Sequence, residues 1–230
     1  MEKGKFYESL VSLYLRLNGY FQTGLISHSA EWGKNATEID VLAMRFHLHR
    51  QPEREVGFCP VLNPPSGNID IVIAEVKSKS VKFNEPLKTD HYLADRNWTQ
   101  ILNWIGLFEA NEIVNLLPHL QSCADSDASN MAGIYANSVY GSVKIRPIIF
   151  SIEKSTSNHN PKAYINGEEV IDYIWTCLCP SAKRDDCSPT YPLYNWGSEF
   201  EPIVDFFKKR HHLLLGKPTL EDLKLKFNLE

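Results

Sequence analysis

The sequence predicts an α/β fold in which a helix is followed by three strands, a second helix and a fourth strand. Three observations lead to this prediction. Residues 6–17 carry apolar side chains at helical spacing, residues 37–46 and 69–77 are apolar runs of strand length, and a helical pattern over 95–117 precedes another apolar run at 143–152. Helix and strand patterns that alternate along one chain are typical of α/β proteins.

The composition limits the classes of protein that fit. The chain has 230 residues, 43% of them hydrophobic, which is enough for one buried core. Its formal charge of -4 lacks the overall basic character of many nucleic-acid binders, so any surface for nucleic acid must be local. Five cysteines, an odd number, favour reduced thiols over a disulfide framework. With no signal-peptide pattern and no run of membrane-spanning length, the expected location is the cytoplasm and no membrane partner is expected.

The first helix and the strand after it have clear boundaries in the sequence. Phe6, Leu10, Leu13, Tyr14 and Leu17 recur at intervals of three and four, and Asn18–Gly19 is a typical helix end. Residues 20–28 then predict a strand. Residues 29–36, which contain glycine and asparagine, predict the turn that follows it.

The next two predicted strands are central ones. Residues 37–46 become apolar on both faces after Asp40, and residues 71–74 within the run 69–77 are all apolar, as expected for strands covered on both sides. Glycines and prolines between these strands mark an extended loop or flared hairpin, which is a candidate element for contacting a substrate or a partner.

The second half of the chain predicts more helix than strand. Residues 95–117 predict one long helix ended by Pro118, and Pro147 within the strand 143–152 predicts an edge position or a bulge. Residues 167–176 predict a helix. Residues 198–211 predict another, opened by a capping box of Ser198 and Glu201.

The predicted elements suggest a division of the chain. Residues 1–155 hold the alternating helices and strands. We expect residues 156–230 to form a mostly helical C-terminal extension packed on that core.

Three polar residues at the ends of the predicted strands are the candidate catalytic residues. Glu75 and Lys77 are two positions apart, so on a strand they share a face. Burying a carboxylate and an ammonium group at the end of an apolar strand is costly unless something pairs with them. Asp40 enters the preceding apolar strand, so Asp40 and Glu75 converge if the two strands are antiparallel neighbours.

A divalent cation would relieve the repulsion between these acids. Two carboxylates about 4 Å apart repel by roughly 4 kcal/mol at an effective dielectric constant of about 20, and one lysine offsets only part of this. Oxygen ligands favour a hard ion such as Mg²⁺. A water molecule on such an ion, with Lys77 beside it, is suited to in-line attack on a phosphodiester.

The string Asp40…Glu75-Val76-Lys77 resembles the PD-(D/E)xK superfamily of restriction-endonuclease-like nucleases. The resemblance implies a restriction-endonuclease-like αβββαβ core with a mixed central sheet flanked by helices. It also implies hydrolysis of DNA with Mg²⁺ or Mn²⁺, with Asp40, Glu75, Glu8 and Val76 as metal ligands. The resemblance covers roughly residues 4 to 152. No proline precedes Asp40, and the long spacing from Asp40 to Glu75 leaves the register of the two strands open.

Further motifs extend the resemblance. Gly4 and Glu8, with Asn18-Gly19-Tyr20 after them, are similar to the opening of Mrr-like and resolvase-like members, whose helix glutamate is an additional ligand. The segment Glu38-Ile39-Asp40 is similar to the second strand of those members. Gln100, followed four residues later by tryptophan, is similar to the QxxxY motif of RecB-type nucleases, which implies a catalytic role for Gln100.

Two other groups of residues allow competing interpretations. Cys177, Cys179 and Cys187, with His211 and His212 downstream, could suggest zinc, but their spacing is unlike that of paired zinc ligands and favours structural thiols. The basic run 208–212 could contact phosphates, or it could simply lie at the negative end of a helix dipole.

Three functions are compatible with the sequence. The first is a metal-dependent nuclease acting on DNA, the nuclease subunit of a restriction or phage-defence system, with an ATPase, helicase or sensor as partner and with a homodimer for double-strand cutting. The second is a catalytically inactive nuclease-fold subunit that serves as a scaffold for protein or DNA. The third is a metal-dependent phosphatase that uses the same carboxylates.

Overall fold

A computed structural model describes residues 2–28, 35–51, 56–63, 65–154, 163–180 and 192–229. The predicted turn at 29–36 and the loop between the two central strands lie partly outside these residues. The helices are α1 (Lys3–Leu17), α2 (Ala94–Ile105), α3 (Ala110–Asp125), α4 (Gly167–Leu178), α5 (Glu201–His212) and α6 (Leu220–Phe227). The strands are β1 (Phe21–His28), β2 (Asn35–Arg45), β3 (Ile69–Lys77), β4 (Ile134–Ser138), β5 (Gly141–Ser151) and β6 (Ile165–Asn166).

The strands of the described chain form one mixed sheet in the order β1-β2-β3-β5-β4, with β6 paired to β5. The pairs β1–β2, β2–β3 and β4–β5 are antiparallel, whereas β3–β5 and β5–β6 are parallel. A parallel pair needs a crossover connection, and α2 and α3 lie in the one between β3 and β5. The predicted α/β class, with a mixed central sheet flanked by helices, is therefore confirmed.

Two hydrophobic layers cover the sheet. On one face, α1 packs together with α4, α5 and α6; on the other face, α2 and α3 form the second layer. Strand β3 is buried on both sides, because Val72 and Ala74 face the α1 layer while Ile71 and Ile73 face the α2 layer. This double burial explains why residues 71–74 are all apolar. Among the described helices, none combines the length and the apolarity that crossing a bilayer requires.

The predicted single helix over 95–117 is wrong, because α2 and α3 are separate. Helix α2 ends at Gly106, which has a left-handed φ of 71° that suits a glycine at a helix end. Helix α3 starts anew with a capping box of Glu109 and Glu112, and it continues through Pro118. The carbonyl that loses its hydrogen bond at Pro118 belongs to Val114, which is 64% exposed, so water can take the place of the missing N–H donor.

Pro147 lies in an interior strand, not in an edge strand or a bulge. Strand β5 pairs with β3 along its length, and on its other side β4 and β6 pair only with residues before and after Pro147. The Pro147 carbonyl accepts a hydrogen bond of 2.9 Å from the Asn130 N–H on that second side. The missing N–H of the proline therefore falls where no strand needs a donor. The short partner strand β4 was not predicted.

The C-terminal helices agree only in part with the prediction. Helix α4 is confirmed, and Asn166 and Glu169 form its capping box. Helix α5 begins at Glu201 after Phe200, so the capping box predicted at Ser198 is wrong, because Ser198 belongs to the turn that follows Gly197. Helix α6, which was not predicted, begins at a capping box of Thr219 and Asp222. All three helices share the hydrophobic layer of α1, while the division of the chain near residue 155 stays a prediction.

Candidate active site

Strands β2 and β3 are antiparallel neighbours, which is the condition under which the sequence predicted that Asp40 and Glu75 converge. Their register pairs Val41 with Ala74, so Asp40 and Glu75 are the next residues beyond that pair. The Asp40 carboxylate accepts a hydrogen bond of 2.6 Å from the backbone N–H of Val76. The long spacing in the chain therefore does not prevent Asp40 from reaching the end of β3.

A β-bulge in β2 sets the direction of Asp40. Thr23 of β1 pairs with Leu42, but Leu25 pairs with Ile39, so Asp40 and Val41 together oppose the single residue Gly24. A bulge of this kind bends a strand and redirects its side chains. It also explains why Ile39 and Leu42 pack in the same layer although strict alternation would put them on opposite faces.

Glu75 lies in a closed ring of polar contacts. Its side chain is fully buried, and its carboxylate accepts a hydrogen bond of 2.7 Å from the Lys77 ammonium group and one of 3.1 Å from the Asn84 amide. Lys77 also donates to the Asn84 side-chain oxygen at 2.9 Å. The Asn84 amide in turn donates to the Glu38 carbonyl of β2 at 3.1 Å. Asn84 thus holds Glu75, Lys77 and β2 in one arrangement.

The acids of this site are poorly neutralised. Burial raises the pKa of Glu75 from an ordinary 4.5 to about 7, although Lys77 opposes the shift; the charge of Asp40 adds to it. Burial also raises the pKa of Asp40, against the opposing effects of the Val76 N–H and of Lys77. Raised carboxyl pKa values of this kind are typical of functional sites.

Glu8 of helix α1 is coupled to the site through its charge, without a hydrogen bond to Asp40 or Glu75 in the described structure. Burial raises the pKa of Glu8, while Lys5, at 3.2 Å, opposes the shift and Asp40 and Glu38 add to it. The effect of Asp40 places the Glu8 carboxyl in the electrostatic surroundings of Asp40.

The charges around this site do not balance. When they are all ionised, the four carboxylates of Glu8, Glu38, Asp40 and Glu75 face the two ammonium groups of Lys5 and Lys77, which leaves two negative charges uncompensated. A divalent cation carries the charge that would compensate them.

Gln100 does not share the hydrogen bonds of the site. It is on α2, and its side chain hydrogen-bonds Ser27 of β1. In the described structure no hydrogen bond joins it to Asp40, Glu75 or Lys77, so its catalytic role stays a prediction.

Asn84 is the site residue that sequence reasoning missed. It directly precedes the Glu-Pro start of a short 3-10 helix, Glu85–Leu87, where an asparagine is typical of a helix cap. Its side chain makes no cap hydrogen bond and instead contacts Glu75 and Lys77. A cap-type residue a few positions after a catalytic-type strand end is the only signal that the sequence offered.

The donor set suits a hard metal ion, but the ligands are not gathered around one point. No group of three or more histidine, cysteine, aspartate or glutamate side chains within the described ranges is arranged to hold a metal ion. The Lys77 ammonium group sits directly on Glu75, where an ion would compete with it. Val76 contributes its backbone N–H to Asp40, and its predicted role as a metal ligand stays a prediction.

The alternative zinc interpretation gains no support from the described residues. Cys177 and Cys179 are buried in the layer formed by α1 and α4, and His211 packs edge-on against Trp175 at 5.7 Å between ring centres. Cys187 lies outside the described residues.

A scan of protein-family models, a search of curated proteins and a search of solved structures each find no match to this chain.

Proposed function

We propose that the protein is a divalent-metal-dependent nuclease that hydrolyses DNA phosphodiester bonds, with a restriction-endonuclease-like core formed by α1 to β5. One observation carries this proposal: a fully buried Glu75 at the end of an apolar strand, beside Asp40 of the neighbouring strand and in contact with Lys77. Burial of under-neutralised carboxylates costs folding stability, and such a cost is typical of functional sites.

The proposed ion is Mg²⁺ or Mn²⁺, held by Asp40 and Glu75 with Glu8 near them. The fit is one of chemistry: the donors are carboxylate oxygens, and with every group ionised the site has two more carboxylates than ammonium groups. When bound, the ion would activate a water molecule and neutralise charge on the phosphate.

The protein's own residues have distinct tasks in this proposal. The Val76 N–H orients Asp40, and Asn84 orients both Glu75 and Lys77. The Lys77 ammonium group stabilises the negative charge that develops on the phosphate as water attacks phosphorus and the ester P–O bond breaks. The products are one strand end with a phosphate and one with a hydroxyl group.

A catalytically inactive nuclease-fold scaffold is the second candidate. The direct Lys77–Glu75 contact favours it, because in this arrangement lysine already serves as the counter-ion of the buried acid. A cytoplasmic location, a partner such as an ATPase, helicase or sensor, and a homodimer belong to the leading proposal and stay predictions.

Cleavage of supercoiled plasmid DNA with Mg²⁺ or Mn²⁺ tests the proposed function. We expect Asp40→Asn, Glu75→Gln and Lys77→Met each to lower the rate by about 100-fold or more, as removal of a charge-stabilising group does elsewhere. Asp90→Asn and Glu168→Gln are the matched controls, because both acids are exposed and lie outside the site. Plasmid that stays intact with the wild-type chain, together with no calorimetric heat of Mg²⁺ binding, would favour the scaffold.

A further inference from the structure

A second charged cluster lies around Glu153, just after β5. The Glu153 side chain is only 6% exposed and accepts a hydrogen bond of 2.9 Å from the Tyr7 hydroxyl. Ammonium groups from three separate segments surround the Glu153 carboxylate: Lys3 at 3.3 Å, Lys79 at 3.8 Å and Lys224 at 3.4 Å. Glu153 therefore holds together lysines from α1, from the loop after β3 and from α6.

The Glu153 carboxylate is charged, and the three lysines around it differ in how firmly they are held. Burial alone would raise the pKa of Glu153, but hydrogen bonds from Tyr7, Lys3 and Lys224 hold it below its usual value, so the carboxylate is ionised at neutral pH. Glu221 contacts Lys224 at 3.0 Å and is the other acid of the cluster. Lys79 is 79% exposed and has the longest of the three contacts to Glu153, so its ammonium group is available to a ligand.

The cluster borders the candidate active site. Lys79 is two residues beyond Lys77, and Tyr7 directly precedes Glu8 on α1. The backbone also joins the two regions, because the Glu153 N–H donates to the Ser78 carbonyl at 2.7 Å. The acids of the candidate active site therefore lie next to the lysines around Glu153, in a chain whose formal charge is -4.

We propose that Lys3, Lys79 and Lys224, here named the basic surface, bind the phosphodiester backbone of a nucleic acid. They do so next to the bond that is cleaved at Asp40, Glu75 and Lys77. The inference rests on the proposed function and deepens it. A nucleic acid strand carries regularly spaced phosphates, so one phosphate can lie at the candidate active site while its neighbours contact the lysines. Through Lys224 on α6, the C-terminal helices take part in binding the substrate.

Binding measured across a salt series tests the basic surface. The probes are a fluorescein-labelled DNA duplex and an RNA strand of equal length, in EDTA so that metal-dependent cleavage cannot occur. For the Lys79→Gln, Lys224→Gln double variant we expect roughly tenfold weaker binding and a salt-dependence slope that is smaller by about 2, one for each lost phosphate contact. Glutamine keeps most of the side-chain stem, so the packing of Lys224 is largely retained.

The matched control is the Lys209→Gln, Lys217→Gln double variant. It removes the same charge from lysines outside the Glu153 cluster, which pair with Asp205 and Asp172. Thermal melting checks that each variant is folded. Lys79→Gln alone, at an exposed position, tests the proposal if the double variant is unstable.

The outcomes separate this inference from the proposed function. Equal affinity and slope for both double variants, no binding by the wild-type chain, or equally effective competition by polyglutamate would each overturn the basic surface. Plasmid cleavage that is measured separately and persists in that case would leave the nuclease proposal standing. Lysine-dependent binding without any cleavage would support the basic surface and count against the nuclease.

Discussion

At the scale of single residues, Glu75 links stability to pH. Its pKa is about 7 in the folded chain and about 4.5 in an ordinary environment, so the folded state binds a proton more tightly than the unfolded state. The stabilisation from protonated Glu75 is fully present below about pH 4.5 and is lost as the pH rises through about 7.

Glu75→Gln should therefore change how stability depends on pH. The amide cannot ionise, so the variant should gain stability relative to the wild-type chain between about pH 4.5 and about pH 7, by on the order of 3 kcal/mol at most. Urea unfolding at both ends of this interval measures the effect, with Glu168→Gln as the control. A difference between Glu75→Gln and the wild-type chain that is the same at both ends would contradict the assigned burial of a titrating Glu75.

Asn84 should act on the reaction through Glu75 and Lys77. Removing its amide donor in Asn84→Ala takes a hydrogen bond from the ionised Glu75 carboxylate, which raises the pKa of Glu75 further. We expect kcat to fall by about tenfold or more and the pH–rate profile to move to higher pH. The control is Asn115→Ala on the exposed side of α3. A lower rate with an unshifted pH profile would show that Asn84 has only a structural role.

At the scale of elements, the parts of the site that depend on local pattern could be predicted, and the parts that depend on tertiary contacts could not. Asp40 and Glu75 were predictable because each adjoins an apolar run, and their convergence followed from antiparallel pairing. The bulge opposite Gly24 depends on the pairing of β1 with β2, which no single segment encodes. Asn84 was missed because its partners are set by the fold and its own sequence context is that of a cap.

A pair of glycines tests the packing of the elements. A methyl group on Gly167, at the start of α4, would collide with the Ile152 carbonyl, whereas one on Gly4 of α1 would meet no atom within 4 Å. Gly167→Ala should lower the free energy of unfolding by about 1–3 kcal/mol. Gly4→Ala should raise it by about 0.5–1 kcal/mol, because alanine favours the helix. Urea unfolding of both variants checks this, and equal effects would contradict the close contact between α4 and the end of β5.

At the scale of the whole molecule, the two ends of β3 have different roles. The Glu75 end bears under-neutralised acids, while the other end holds Asp70, which pairs with Arg146 of β5 where both side chains are buried. Arg146 also donates to the Leu62 carbonyl, and the Tyr20 hydroxyl donates to Asp70. This network joins residues that are far apart in the sequence. The sequence did not indicate it, because Asp70 and Arg146 look like isolated polar residues in apolar strands.

Asp70→Asn should be strongly destabilising, although Asp70 lies at the opposite end of β3 from Glu75. It leaves the buried Arg146 guanidinium without its counter-charge, which costs about 3–5 kcal/mol. The pair of the half-buried Asp205 with the exposed Lys209 is the control, and Asp205→Asn should cost at most about 1 kcal/mol. Chemical unfolding measures both, and a similar small cost for Asp70→Asn would show that the Asp70–Arg146 pair is not a structural anchor.

The most direct test of the proposed metal site is anomalous diffraction from a crystal soaked in Mn²⁺. We predict a strong peak between the carboxylates of Asp40 and Glu75, with the Lys77 ammonium group displaced from its contact with Glu75. A crystal with no peak at that position, and with Lys77 still bound to Glu75, would contradict the metal-dependent nuclease.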